Sequence, residues 1–233
     1  MPQNKINILS TRLLEDSLID EANKKGIHIE VLSFIETETL QNTDVQQEIE
    51  QALLQSAAVV FTSMNAVDAV ANYQDDQQPD WRIYCIGATT SKLVQKYFGE
   101  ESIAGTASNA AELADLIANE SDFNEVVFFC GDRRRDELPD ILRSNNIKVN
   151  EIMVYQTIAV PHKIERQYDG ILFFSPSAAE SFFRANKLPE TTLLFSIGNT
   201  TAGEIKKFSN NKIFISDKPG KENLVKKMID FYS

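Results

Sequence analysis

The sequence predicts an α/β protein built from two similar parallel-sheet domains. Short apolar runs alternate with amphipathic, helix-like stretches along nearly the whole chain, a pattern typical of parallel sheets covered by helices. Two pairs of motifs also recur about 110 residues apart. VVFTSMNAVDAV from Val59 precedes IYCIGATTSKLV, and ILFFSPSAAESF from Ile171 precedes LFSIGNTTAGEI. This recurrence indicates two domains of one architecture.

Each predicted strand is an apolar run that ends at a turn signal, and most gaps between strands have helical periodicity. In the helices predicted at 109–119 and 136–145, for example, Glu, Asp and Arg lie opposite apolar positions. The ten predicted strands are 5–10, 28–34, 57–62, 82–86, 102–105, 125–130, 148–155, 169–174, 193–197 and 212–215.

These ten strands divide evenly only if the first two join the last three. We therefore predict a discontinuous α/β domain of residues 1–35 and 156–233, with an inserted α/β domain of residues 36–155, both flavodoxin-like. The segments IETETL from Ile35 and QTIAVPHKI from Gln156 are rich in β-branched residues, and we expect them to pair as a two-stranded linker. A single division near Asn124 is the alternative.

Composition narrows the class of protein and of partner. Of the 233 residues, 42% are hydrophobic, which is enough to form buried hydrophobic cores. We expect a cytoplasmic protein because the N-terminus lacks a basic region followed by an apolar stretch, and no run approaches the roughly 18 apolar residues of a membrane span. The net charge of −11 argues against a nucleic-acid partner, since that requires clustered Lys and Arg.

Missing motifs exclude several kinds of chemistry. There is no phosphate-binding loop of the G-x-x-x-x-G-K type and no G-x-G-x-x-G turn, so nucleotide cofactors lose support. His28 and His162 are the only histidines, which makes a metal site or a Ser-His-Asp triad unexpected. Cys85 and Cys130 lie in apolar strand-like runs, and we expect two buried thiols. No cofactor is predicted.

Four predicted strand-to-helix turns carry small hydroxyl or amide side chains. The first N–H groups of a helix have no internal partner, and with the helix dipole they form a neutral cradle for an anion. In open parallel sheets such turns lie at the edge where ligands bind. Helix capping alone is the alternative interpretation of each residue. The candidates are Thr62, Ser63, Asn65, Thr90, Ser175, Ser177, Thr200 and Thr201.

Read in order, these motifs resemble the uroporphyrinogen-III synthase family. GDRRRDELPDILRSNNIKVNEIMVYQTIAVP from Gly131 carries the most specific part, V-Y-Q-T. The resemblance spans essentially the whole chain. It implies two α/β domains joined by a two-stranded ribbon. It also implies the reaction, in which linear hydroxymethylbilane closes to uroporphyrinogen III with loss of water and inversion of the terminal pyrrole ring, without a cofactor.

The resemblance also implies roles for particular residues. Tyr155, the tyrosine of V-Y-Q-T, becomes the candidate catalytic acid, since a phenol stays protonated at neutral pH. Arg12 and Arg135 match basic positions of the family and become candidate substrate-binding cations. The implied substrate carries eight carboxylates, which the net negative charge of the chain would repel. Uncharged hydrogen-bond donors would therefore have to bind them. We expect a monomer whose partner is this small molecule.

Two other functions remain open at this point. A non-catalytic module of the same fold would bind a tetrapyrrole or another polycarboxylate. A periplasmic-type two-lobed solute binder is the third possibility, against which the missing leader counts.

Overall fold

The computed structural model describes residues 5–74, 78–120, 124–218 and 220–233. Within them lie eleven strands, nine α-helices and a 3-10 turn at Glu100–Ser102. The strands are β1 (Ile6–Ser10), β2 (Ile27–Val31), β3 (Ile35–Thr39), β4 (Ala57–Phe61), β5 (Trp81–Ile86), β6 (Ile103–Ala107), β7 (Glu125–Gly131), β8 (Lys148–Ala159), β9 (Gly170–Phe173), β10 (Leu193–Ser196) and β11 (Ile213–Ile215). The helices are α1 (Asp16–Lys24), α2 (Thr43–Leu53), α3 (Met64–Ala71), α4 (Ala88–Phe98), α5 (Ala110–Asn119), α6 (Glu137–Ser144), α7 (Pro176–Ala185), α8 (Asn199–Ile205) and α9 (Lys221–Tyr232).

The chain separates into two compact units. The discontinuous unit consists of Met1–Glu36 and Ile158–Ser233, and the inserted unit is Thr37–Thr157. The chain crosses between them within β3 and within β8, next to the predicted boundaries. A single division near Asn124 would instead cut between α5 and β7, inside the inserted unit.

Each unit is built on one sheet. The discontinuous unit has the order β11-β10-β9-β1-β2, and the other sheet has the order β3-β8-β7-β4-β5-β6. Strands β4 to β8 are parallel, as are all five strands of the first sheet. The predicted α/β class is therefore confirmed. Strand β3 lies in IETETL and neighbours β8, whose end contains Gln156 and Thr157, so these two segments pair as predicted.

The two sheets share one spatial order with the chain threaded differently. Strands β4, β5 and β6 correspond to β9, β10 and β11, and strands β7 and β8 correspond to β1 and β2. With this correspondence, the spatial order β8-β7-β4-β5-β6 matches the order β2-β1-β9-β10-β11. The units are thus circularly permuted relative to each other. This explains why the repeated motifs follow β4 and β5, before β7 and β8 in the chain, but follow β9 and β10, after β1 and β2 in the chain.

Both faces of each sheet are buried. In β4, Val59 and Phe61 belong to one apolar cluster of the inserted unit, while Ala58 and Val60 belong to another. The discontinuous unit has two corresponding clusters. Burying each large side chain contributes about 1.5–3 kcal/mol, which explains why the central strands are continuous apolar runs. Cys85 and Cys130 are both free and buried, as predicted.

Candidate active site

The inserted unit has a cavity where the direction of its chain reverses. From β4 the chain builds outward through β5 and β6, then returns to the other side of β4 with β7 and β8. Such a switch leaves a crevice beyond the carboxyl ends of the two central strands. A cavity of about 380 Å³ lies there, lined by Thr62, Ser63, Ile86, Ser108, Asn109, Ala110, Phe128, Gly131, Arg133, Arg134, Arg135, Glu137, Leu138 and Tyr155.

Tyr155 enters this cavity from β8. The β7–β8 register is irregular at its end, since Cys130 pairs with Met153 and Gly131 pairs with Tyr155. The phenol is half-buried, and burial raises its pKa above the usual value of 10.0, while a hydrogen bond from the Ser63 hydroxyl acts in the opposite direction. The side chain is therefore a neutral proton donor throughout the neutral pH range.

Two helix N-termini contribute hydroxyl and amide groups to the cavity wall. Ser63 caps α3 because its Oγ accepts a hydrogen bond from the N–H of Asn65 at 3.2 Å. Asn109 caps α5 through the N–H of Glu112 at 3.0 Å, and Glu112 accepts a bond from the N–H of Ser108. A single capping bond fixes the turn at Ser63 and two bonds fix the turn at Asn109, so backbone N–H groups at the cavity have defined directions.

Arg134 is held by carboxylates of its own unit. Its guanidinium pairs with Asp136 and with Glu151, and Glu151 also pairs with Arg143. The Glu151 side chain is only 16% exposed. A buried carboxylate needs such partners, so the main contribution of Arg134 is to neutralise Glu151.

Arg133 and Arg135 have different surroundings. Nε of Arg133 lies 3.5 Å from Oδ2 of Asp132. Within the described part of the chain, Arg135 forms no ion pair or hydrogen bond, and its side chain is exposed at the cavity. Arg135 is thus the cation there that can take up a carboxylate without giving up another partner.

The structure groups only some of the predicted site residues. Thr62, Ser63, Arg135 and Tyr155 line the cavity together. Asn65 lies in the first turn of α3, where its N–H donates to Ser63. Thr90 lies in α4 and is 5% exposed, so little of its side chain is accessible to a ligand.

The remaining candidates belong to the discontinuous unit, at the carboxyl edge of its sheet. This edge is a switch point too, since β1 and β9 are neighbours there. Arg12 follows β1 and is exposed. Ser175 caps α7 through the N–H of Ala178 at 3.1 Å. Ser177 is partly buried, Thr200 is exposed and Thr201 is 3% exposed.

Sequence reasoning missed several lining residues. Ser108 and Asn109 follow β6, and the Asn109-x-x-Glu112 spacing is a capping signature that the sequence displays. Gly131, Arg133, Arg134 and Glu137 lie in or beside the charged patch from which only Arg135 was chosen. The local sequence does not separate the three arginines, because Glu151, the partner that distinguishes Arg134, lies on another strand.

No helix in the described ranges is long and apolar enough to cross a bilayer. No group of three or more His, Cys, Asp and Glu side chains there is arranged to hold a metal ion.

The fold and this cavity define an α/β protein with a candidate acid catalyst at the switch point of a parallel sheet. A family model described as uroporphyrinogen-III synthase HemD matches residues 16–226. The chain therefore belongs to the uroporphyrinogen-III synthase family.

Two curated relatives agree with this assignment. The chain is 25% identical over 189 residues to a porphyrin biosynthesis protein HemD of Ruminiclostridium josui, covering 74% of this chain and 37% of the relative. It is 26% identical over 170 residues to a uroporphyrinogen-III synthase of Saccharomyces cerevisiae, covering 61% and 62%. The matches thus span between about a third and three fifths of these relatives.

Two solved structures share the fold. A uroporphyrinogen-III synthetase of Helicobacter pylori superposes with a TM-score of 0.68 at 18% identity, covering 97% of this chain and 99% of that one. A mutant uroporphyrinogen III synthase of Thermus thermophilus gives a TM-score of 0.62 at 14% identity, covering 97% and 98%.

Proposed function

We propose that this protein is a uroporphyrinogen-III synthase, a cyclising hydro-lyase. It would close hydroxymethylbilane to uroporphyrinogen III, with inversion of the terminal pyrrole ring and loss of water. The observation that carries the proposal is the position of Tyr155, a half-buried neutral phenol in a cavity at the switch point, in a chain of this family.

Tyr155 acts on the terminal hydroxyl of the substrate. Its proton joins the departing hydroxyl to form water as a cation develops on the terminal ring. The pyrrole ring at the opposite end of the chain then attacks this cation through its substituted carbon, giving a spirocyclic intermediate that rearranges to the product with the attacking ring inverted. A proton lost from the ring carbon restores the phenol. The reaction is redox-neutral, so it requires no redox cofactor.

Substrate binding depends on neutral donors more than on net charge. The N-termini of α3 and α5 present N–H groups beside the cavity, with Thr62 and Ser63 as hydroxyl donors. Arg135 adds a cation that has no ion pair among the described residues. Fixed donors of this kind bind acetate and propionate groups without a positive surface, which reconciles a substrate of eight carboxylates with a net charge of −11.

The discontinuous unit is proposed to contribute a second set of donors. Arg12, Ser175, Ser177, Thr200 and Thr201 follow strands whose carboxyl ends are neighbours in one sheet. Asn65 adds to this set from the inserted unit, whereas Thr90 and Thr201 are proposed to contribute only backbone N–H groups of the first turns of α4 and α8, because their side chains are almost fully buried. We also propose that the two units are separate domains and that the protein is a cytoplasmic monomer.

The product isomer tests this function. Purified protein is given hydroxymethylbilane generated in situ by its synthase, and the oxidised porphyrins are separated into type I and type III isomers by chromatography. We expect the type III isomer, because spontaneous closure does not invert the terminal ring. Type I product alone, equal to the control without this protein, would reject the proposal.

A further inference from the structure

Gly131 lies directly beneath the ring of Tyr155. It is the last residue of β7 and is buried. A Cβ atom placed on Gly131 would lie 2.5 Å from Cε2 of Tyr155 and 2.8 Å from its hydroxyl oxygen, and closer still to Cζ. Real Cβ atoms almost never approach other atoms so closely, because repulsion rises steeply below van der Waals contact.

The backbone does not require glycine at this position. Gly131 is outside the left-handed region, whereas Gly26, Gly87, Gly99 and Gly220 have positive φ angles. An alanine at position 131 would therefore meet no backbone strain. What glycine provides is space for the aromatic ring of Tyr155.

Two backbone features place that ring over Gly131. The register irregularity at the end of β7 sets Tyr155, rather than Val154, opposite Gly131, and bulges of this kind re-aim a side chain next to active sites. The N–H of Asp132 then donates to the Tyr155 carbonyl at 3.2 Å. Backbone and ring are thus fixed at neighbouring points.

We propose that Gly131 is a positioning residue that sets the Tyr155 hydroxyl in the cavity by leaving room for the ring above the end of β7. The inference rests on the proposed function, in which this hydroxyl gives up the proton. Any side chain at position 131 moves the ring and separates the hydroxyl from the departing group. A displacement of about 1 Å at a reacting group is enough to cost on the order of a hundredfold in rate.

A double-mutant cycle tests the proposal through turnover. Gly131→Ala is expected to lower kcat about as much as Tyr155→Phe does. In a Tyr155→Ala background, which lacks the ring, Gly131→Ala should change kcat less than about twofold. Gly203→Ala is the matched control, because a Cβ at Gly203 meets nothing within 4 Å. Losses that multiply in the double variant would overturn the proposal.

Stability gives a second readout if Gly131→Ala folds poorly. The clash should lower the unfolding temperature in the wild-type background and not in the Tyr155→Ala background. Equal losses in both backgrounds would show that the alanine acts on something other than the ring.

A spectroscopic arm separates this inference from the proposed function. With tyrosine labelled at ¹³Cζ, the Tyr155 resonance is identified by its loss in Tyr155→Phe. In Gly131→Ala this resonance should shift and titrate nearer pH 10, because the displaced ring is less buried. An unchanged resonance would reject the positioning role whether or not the protein forms the type III isomer. Failure to form that isomer, with the shift present, would reject only the proposed function.

Discussion

The Asp132 carboxylate holds the strand that carries Tyr155. Its Oδ1 accepts a hydrogen bond from the N–H of Thr157 at 2.8 Å, while the Asp132 N–H donates to the Tyr155 carbonyl. One residue therefore fixes β8 on both sides of Gln156. Since Asp132 follows Gly131, the turn after β7 controls both the ring and the backbone of Tyr155.

Asp132→Ala is predicted to reduce activity and stability together. The Thr157 N–H loses its acceptor, and a hydrogen bond of this kind contributes about 1 kcal/mol at a partly exposed site. Asp132→Asn is the matched control because its amide oxygen can still accept from Thr157. We expect thermal unfolding and kcat to be near the wild-type values in the asparagine variant and lower in the alanine variant. Equal loss in both would assign the effect to charge instead.

Tyr155→Phe is predicted to slow turnover while leaving the protein folded. Removing the hydroxyl removes the proton donor, and we expect a loss of about a hundredfold, the lower end for general acids, since the substrate ionises readily by itself. Tyr97→Phe is the control, as the Tyr97 hydroxyl accepts a hydrogen bond from Lys96 at an exposed position outside the cavity lining. Single-turnover kinetics and thermal unfolding measure the two effects, and unchanged turnover would remove Tyr155 from the mechanism.

Ser63→Ala separates helix capping from a role in the site. Ser63 caps α3 and lines the cavity with Tyr155, whose pKa it lowers, whereas Asn42 caps α2 away from the cavity through the N–H of Val45 at 2.8 Å. Losing either cap should cost about 1 kcal/mol of unfolding free energy. Only Ser63→Ala should also lower kcat/KM. Equal activity of Ser63→Ala and Asn42→Ala, measured beside chemical denaturation, would leave Ser63 as a cap alone.

Local pattern was sufficient to predict most of the strands and two of the helix caps at the candidate sites. Apolar runs that end in Ser or Thr are followed by helices at Ser63 and Ser175, and both residues are caps, because strand, cap and helix are set within about ten residues. The repeated motifs also predicted two units of one architecture.

Nonlocal contacts could not be predicted in this way. Glu151 on β8 neutralises Arg134, and the register irregularity brings Tyr155 over Gly131. Both depend on pairings between β7 and β8 that no short window contains. The same holds for Thr201, which the packing of α8 buries although it lies in a polar turn.

Arg135→Gln is predicted to weaken substrate binding, and Arg134→Gln is predicted to lower stability. Arg135 has no partner within the described residues, so its loss should raise KM about tenfold, the value of one charge-assisted hydrogen bond, and leave stability unchanged. Arg134→Gln removes one of the two arginines that pair with Glu151 and should cost roughly 1–2 kcal/mol of unfolding free energy. Steady-state kinetics and urea unfolding distinguish them, and a stability loss in Arg135→Gln would contradict its assignment.

Cys130 is predicted to make the protein lose stability between pH 9 and 11. The thiol is 4% exposed, and burial raises its pKa from 9.0 to about 11, with Arg134 lowering it and Glu151 raising it by smaller amounts. Above pH 9 the unfolded chain releases this proton while the folded chain still holds it. Cys130 then lowers the unfolding free energy by up to about 1.4 kcal/mol per pH unit until the folded thiol ionises, and Cys85, whose pKa is also raised by burial, adds to the fall whether or not Cys130 is present.

Urea unfolding at pH 8, 9, 10 and 11 under reducing conditions tests this prediction. Cys130→Ala lowers stability at every pH by leaving a small cavity, but its stability should fall less steeply than that of the wild type. The interval from pH 9 to 10 is the most informative, because Tyr155 and Tyr232, whose pKa values are also raised by burial, contribute mainly above pH 10. Parallel curves for the two proteins over that interval would show that the Cys130 thiol does not control the loss.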